Sequence, residues 1–228
     1  MTTTTLFIVL AVFTVVYLVS TVKVRRAQNE QDLLPVPRFA MESENVQKLS
    51  GAARGTAIHR MCEKIDYCSW SSPETVTATQ FRSRVEELLA DGTLPAEYGP
   101  VLTPSVFLPF LKTDVAGRMA AAAERGTLRR EQPFVMGIPA SQMDPAFPDE
   151  ETVLIQGIMD AFFIEGTGNE RRCILLDYKT DWVKTGDELR ERYRKQMQIY
   201  AQALENMLRI PVTEKILYSF HLRECLWV

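Results

Sequence analysis

The hydrophobic residues of this chain change period twice between residue 46 and the C-terminus, and that order leaves few folds open. They first recur at helical spacing. Ile58, Met61, Cys62 and Ile65 fit a helix running from Val46 or Ala52 to Ile65, and Phe81, Val85, Leu88 and Leu89 fit one from Thr79 to Leu89, ended by Asp91-Gly92. Pro104–Leu111 and Val115–Ala123 complete a helical half. The spacing then becomes that of strands, Thr127–Ile138, Thr152–Ile164 and Cys173–Thr180, joined by the turn-rich stretch 141–150 and by a hairpin turn at Gly166–Asn169. Asp187–Arg209 is helical again, with an inward stripe of Leu189, Tyr193, Met197, Tyr200, Leu204 and Met207. Strands at Thr213–Leu222 and Glu224–Val228 follow. Helices, a three-strand meander, a long helix and returning strand spell an α/β domain.

A second contrast divides the chain by charge. It has 26 Lys plus Arg and 29 Asp plus Glu, and none of them lies in residues 1–22. Leu6–Val22 reads LFIVLAVFTVVYLVSTV, which as a helix spans roughly 25 Å. Lys23, Arg25 and Arg26 follow at once. The segment reads as a single-pass transmembrane helix that anchors the chain and leaves its body in the cytoplasm. A buried strand and turn, or an artefact of the start site, is the plainer alternative. A signal peptide fits less well, because MTTTT has no basic n-region and no A-x-A site follows. Residues 23–45, with Pro35 and Pro37, read as a linker, leaving 46–228 as the domain.

Composition excludes several classes. Cys62, Cys68, Cys173 and Cys225 form no C-x-x-C pair, which argues against zinc-ribbon and redox motifs, and their spacing is too wide for an iron–sulfur cluster. In a cytoplasmic body they stay reduced, and two of the four read as small buried hydrophobes. No G-x-x-x-x-G-K-[ST] loop is present, so this chain carries no such ATP site. A net charge of −3 disfavours strong nonspecific nucleic-acid binding. Basic clusters at Arg125, Arg129 and Arg130, at Arg171 and Arg172, and at Arg190, Arg192, Arg194 and Lys195 could line a groove, although such runs are usually solvated faces.

Chemistry is suggested where polar groups interrupt apolar runs. Asp177 and Lys179 are two apart on a strand and share one sheet face, at the end of the run Ile174-Leu175-Leu176. Asp160 sits between Gly157-Ile158-Met159 and Ala161-Phe162-Phe163. If those strands neighbour each other through the Gly166–Asn169 turn, the two carboxylates converge as hard oxygen ligands for Mg²⁺ or Mn²⁺. Two unrelated surface aspartates are the bland alternative. His59 lies four residues after Gly55 and so on the same helix face. A lone helix histidine is more often structural, and His221, in a late strand, reads as structural too. Gln196 and Tyr200 share a helix face, and Gln196 puts an amide on an apolar stripe, where it needs hydrogen-bond partners.

Taken in order, G-x-x-x-H (Gly55–His59), Glu131 in REQPF, G-x-x-D (Gly157–Asp160), D-Y-K-T (Asp177–Thr180) and Q-x-x-x-Y (Gln196–Tyr200) resemble the RecB-type nucleases of the PD-(D/E)XK superfamily. The likeness is greatest to the C-terminal nuclease domain of the AddA-type helicase/nucleases and runs from about Pro37 to the C-terminus. It implies a restriction-endonuclease-like α-β-β-β-α-β core. It also implies Mg²⁺-dependent hydrolysis of DNA phosphodiester bonds, with Mn²⁺ as substitute. The setting implied is exonuclease-type end processing in recombination and double-strand-break repair, beside a separate helicase or an AddB-like nuclease subunit. By the same resemblance His59, Asp160, Asp177 and the Tyr178 carbonyl are metal ligands, and Lys179 orients the attacking water. Gln196 and Tyr200 shape the DNA-side edge, and Glu131 belongs to the catalytic set without a defined role. The alternatives are a catalytically silent module that binds DNA or a helicase, and a detached fragment of a helicase–nuclease. Two features depart from the family: no motor is present, and the apolar head is foreign to it.

Overall fold

The computed structural model describes residues 50–70, 76–142, 146, 148 and 150–228, all within one unit spanning Glu44–Val228. Its helices start where small polar side chains can satisfy the free amides of a first turn. Ser50 caps α1 (Gly51–Lys64) by accepting from the Ala53 amide. Thr77 and Gln80 form a reciprocal capping box on α2 (Ala78–Ala90), Pro104 opens α3 (Pro104–Leu111), and Thr113 caps α4 (Asp114–Glu124). Each helix lies within two residues of the predicted one, apart from the Val46 alternative for the first.

Five strands follow in sheet order β1-β2-β3-β4-β5: β1 (Leu128–Pro139), β2 (Thr152–Glu165), β3 (Arg172–Lys179), β4 (Val212–Ser219) and β5 (Glu224–Trp227). The first three form an antiparallel meander, and β4 lies parallel to β3. A parallel neighbour needs a crossover, and α5 (Gly186–Leu208) supplies it. The order α-β-β-β-α-β is the expected one, with β5 added at the edge.

The sheet separates two apolar layers. Ala161, Phe163, Ile174, Leu176, Tyr178 and Ile216 pack with α1–α4. Met159, Phe162, Cys173, Leu175 and Leu217 pack with α5. Arg118 of α4 ties the first layer to the sheet through paired hydrogen bonds to Glu165 of β2 and Glu214 of β4, at 2.7–3.0 Å. Cys62 and Cys173 are buried, and all four cysteines are free thiols.

Three expectations change. The strand expected to reach Leu222 ends at Ser219, because Ser219–Arg223 closes a turn in which the Arg223 amide donates to the Ser219 carbonyl at 2.7 Å. His221 therefore lies exposed in a turn and not in a strand. Met207 is exposed as well, because α5 follows the four-residue step from Leu204 to Leu208 into the core. Residues 6–22 and 23–45, read as anchor and linker, lie outside the described residues. Among the described residues no helix is long and apolar enough to cross a membrane.

Candidate active site

The site begins where β2 and β3 part. Their ladder runs from Glu165–Arg172 to Ala161–Leu176, and one more step in that register would set Asp160 opposite Asp177. The ladder stops there. The Tyr178 amide turns instead to the Asp160 side chain and donates to Oδ2 at 2.7 Å. Both aspartates are buried, Asp177 to 2% exposure.

Side-chain alternation slips at the same level on β1 and β2. Arg130 reaches towards α1, donating to the Ile65 carbonyl, whereas Phe134 and Met136 pack with α5. On β2, Met159 and Phe162 face α5 while Ala161 and Phe163 face α1–α4. An even number of steps thus changes face, as it does at a bulge, a device that re-aims side chains beside active sites. Glu131, at the slip, has φ of 46°, a left-handed conformation costing about 1–3 kcal/mol for a residue with a Cβ. The slip aims Asp160 at α1, where His59 Nδ1 meets its Oδ1 at 3.0 Å. Ligand atoms of His59, Glu131 and Asp160 all lie within 4.8 Å of one another. Gly55 lets α1 come this close, since a Cβ there would stand 3.0 Å from Thr180 Oγ1 at the end of β3.

A second group sits on the α5 side. Lys179 Nζ is 2.6 Å from Asp177 Oδ2, as strand period two requires of residues i and i+2. Gln196 joins the pair: its Nε2 donates to Asp177 Oδ1 and its Oε1 accepts from Lys179, each at 3.2 Å. The Lys179 ammonium also lies 3.6 Å from the centre of the Tyr193 ring. The Tyr193 hydroxyl is held in turn by both oxygens of Asp181 at 3.0 Å. Burial pushes the Asp177 carboxyl above its ordinary range, with Lys179 opposing and the Asp160 charge adding to the rise.

The sequence matches the PD-(D/E)XK nuclease superfamily over residues 31–222. The chain belongs to that superfamily. Curated relatives are named as the A subunit of an ATP-dependent helicase/nuclease. The Clostridium perfringens (strain 13) protein is 34% identical over 195 residues, covering 82% of this chain and 14% of the relative. The Clostridium beijerinckii protein is 32% identical over 220 residues (90% and 17%), and that of Pediococcus pentosaceus 32% over 202 residues (83% and 16%). The chain therefore spans about one sixth or less of the length of these relatives.

The residues singled out from sequence fall into two groups that meet at the fork of β2 and β3. His59, Glu131 and Asp160 form one, Asp177, Lys179 and Gln196 the other. Asp177 is engaged by Lys179 and Gln196 beside the tighter cluster of His59, Glu131 and Asp160. Tyr178 contributes its amide to Asp160, while its ring lies in the α1–α4 layer, 5.8 Å from that of His59, with its hydroxyl 3.2 Å from that of Tyr67. Tyr200 packs edge-on to Phe134, ring centres 5.3 Å apart, over Gly157. The sequence reading gives Tyr193 only as part of the inward stripe and does not name Asp181. Their signal was present, because Tyr193 lies three residues before Gln196 on the same helix face and Asp181 directly follows D-Y-K-T.

The donor set fits a divalent ion. Carboxylate oxygens with one imidazole suit Mg²⁺ or Mn²⁺, and an imidazole is better tolerated by the second. Asp177 Oδ2 is buried with no aligned hydrogen bond, although Lys179 is close to it in distance. A buried carboxylate oxygen in that state gains from a cation. The basic clusters are largely spent locally: Arg172 on Glu165, Arg190 on Asp187, Arg192 on Asp181 and Arg194 on Glu191.

Proposed function

We propose that this nuclease-superfamily chain is a divalent-metal-dependent deoxyribonuclease that hydrolyses DNA phosphodiester bonds. It processes DNA ends by exonuclease action during recombination and double-strand-break repair, beside a separate helicase or an AddB-like nuclease subunit. The observation that carries this reading is the meeting of the His59–Glu131–Asp160 cluster with the Asp177–Lys179–Gln196 group at one strand fork. His59, Asp160, Asp177 and the Tyr178 carbonyl would hold Mg²⁺ or Mn²⁺, with Glu131 as a further oxygen donor. The ion supplies Lewis-acid polarisation of the phosphate and a more acidic water. Lys179 orients that water and stabilises charge building on the phosphate oxygens. Gln196 fixes the lysine against Asp177, so that neither side chain has to reorganise as charge develops. Gln196 and Tyr200 together shape the edge along which DNA lies.

The test is hydrolysis of linear single- and double-stranded DNA by the full chain with Mg²⁺ or Mn²⁺, beside Asp177→Ala and Lys179→Ala. Each substitution should lower the rate by about 10²–10³-fold or more. Activity that survives both removes the assignment, and inactivity with both metals favours the binding-module or detached-fragment reading. For the head, the reading is a helical anchor at residues 6–22 with the nuclease body in the cytoplasm. Alkaline extraction of membranes tests it, and complete release of the chain rejects an integral anchor.

A further inference from the structure

We infer that Trp182, backed by His221, is a stacking platform for an unpaired base of the DNA strand, set at the mouth of the nuclease site. The inference rests on the nuclease reading for its ligand. Trp182 is 70% exposed, the highest value among the exposed large hydrophobic residues described, although tryptophan is mostly buried in folded chains. Its exposure does not come from a loose loop. Asp181 before it is anchored to Tyr193 and Arg192, and Val183 after it is buried. The loop is thus pinned on both sides of a ring that stays outside the core.

Two chain paths bring aromatic rings to this place. Trp182 follows Lys179 by three residues, at most about 11 Å of chain. His221 follows Phe220, whose amide donates to the Lys179 carbonyl at 2.8 Å. The Trp182 and His221 rings meet with centres 5.6 Å apart and planes at 47°. His221 supports the indole from one side and leaves aromatic surface facing solvent. Both loops leave the same ends of the parallel strands β3 and β4, the end that carries Asp177 and Lys179. Lys184 and Arg223, exposed in the same two loops, bring positive charge for a phosphate backbone.

An exposed aromatic ring beside a phosphodiester site suits a base whose own face is uncovered. Bases within a duplex have both faces taken by their neighbours, so the platform selects unpaired strand, and it does so with little sequence preference.

The experiment measures binding of a labelled oligothymidylate and of a duplex whose terminal pairs are covered by stacked end caps to the full chain by fluorescence anisotropy in EDTA, where hydrolysis plays no part. Wild type, Trp182→Ala, Trp182→Phe and His221→Ala are compared, with melting temperatures as a fold control. Trp182→Ala should weaken oligothymidylate binding roughly five- to 150-fold, Trp182→Phe much less, and duplex binding by under about twofold. Oligothymidylate should also quench tryptophan emission in wild type and not in Trp182→Ala. Equal oligothymidylate affinity in wild type and Trp182→Ala overturns the inference, as does an equal loss for strand and duplex. Strand binding that depends on Trp182 in a chain without hydrolysis leaves the platform standing and removes only the nuclease reading.

Discussion

Lys179 holds its charge against three different surfaces: the Asp177 carboxylate, the Gln196 amide oxygen and the face of the Tyr193 ring. The first two orient it by hydrogen bonding and charge, and the third limits how far the ammonium can swing. Tyr193 is therefore a positioning residue, held in place by Asp181. A desolvated cation–π contact is worth about 1–2 kcal/mol, so Tyr193→Ala should lower kcat about five- to thirty-fold with little change in KM. Tyr193→Phe, which keeps the ring, should recover most of that loss. Steady-state kinetics on a defined DNA substrate decide it, and a change confined to KM removes the positioning role. At this scale the sequence was informative wherever a polar group broke an apolar run, as Asp160, Asp177, Lys179 and Gln196 do. Glu131 came through the family resemblance alone and without a role, because its arrival beside His59 depends on a backbone turn to φ of 46° that nothing in REQPF announces. Tyr193 was hidden for a different reason: on a helix stripe a working aromatic has the same spacing as a core one.

Among the elements, packing and charge make separate predictions. Gly157 lies under Phe134, and a Cβ there would come within 2.9 Å of the ring and 3.4 Å of the Tyr200 hydroxyl. Gly157→Ala should destabilise by about 1–3 kcal/mol, and adding Phe134→Leu should return part of it, as differential scanning calorimetry of the cycle would show. Arg118 binds β2 to β4 through carboxylates only a quarter exposed or less. Its removal leaves Glu165 with only the more exposed Arg172 and Glu214 with only the Trp227 indole N–H, a loss of about 2–3 kcal/mol. Hydrogen bonding to Arg118 holds both carboxyls below their ordinary value of 4.5, despite some burial that raises them. A lowered acid contributes stability above its unfolded value, which is lost as pH falls through the folded one. Wild type should therefore lose stability on acidification below about pH 4.5, and Arg118→Ala should show a shallower acid limb in urea titrations. Element order was legible because helix and strand periods differ so clearly in this chain. The slip at Asp160 was not, since Met159 to Phe163 are buried without interruption and Asp160, the one polar residue among them, does not mark which face its neighbours take.

For the whole molecule, ion binding should act as a stability term. An ion bound by the folded site alone stabilises by RT ln(1 + [L]/Kd), about 2.7 kcal/mol at a hundredfold excess over Kd. Mn²⁺ should therefore raise the melting temperature, and Glu131→Gln should reduce the rise while leaving the ion-free melting temperature close to wild type. A shift that is the same in Glu131→Gln would place that carboxylate outside the ion's reach. The slip in alternation at Glu131 and Asp160 also bears on how this sequence could be rewritten. A design procedure rewards even pleats and strand-forming residues, and applied here it would replace Glu131 and restore an unbroken in–out pattern through residues 159–162. The product would be a more regular sheet whose Asp160 pointed at α5, out of reach of His59. Backbone irregularity at these two positions is thus a template to be fixed first, with side chains chosen around it afterwards.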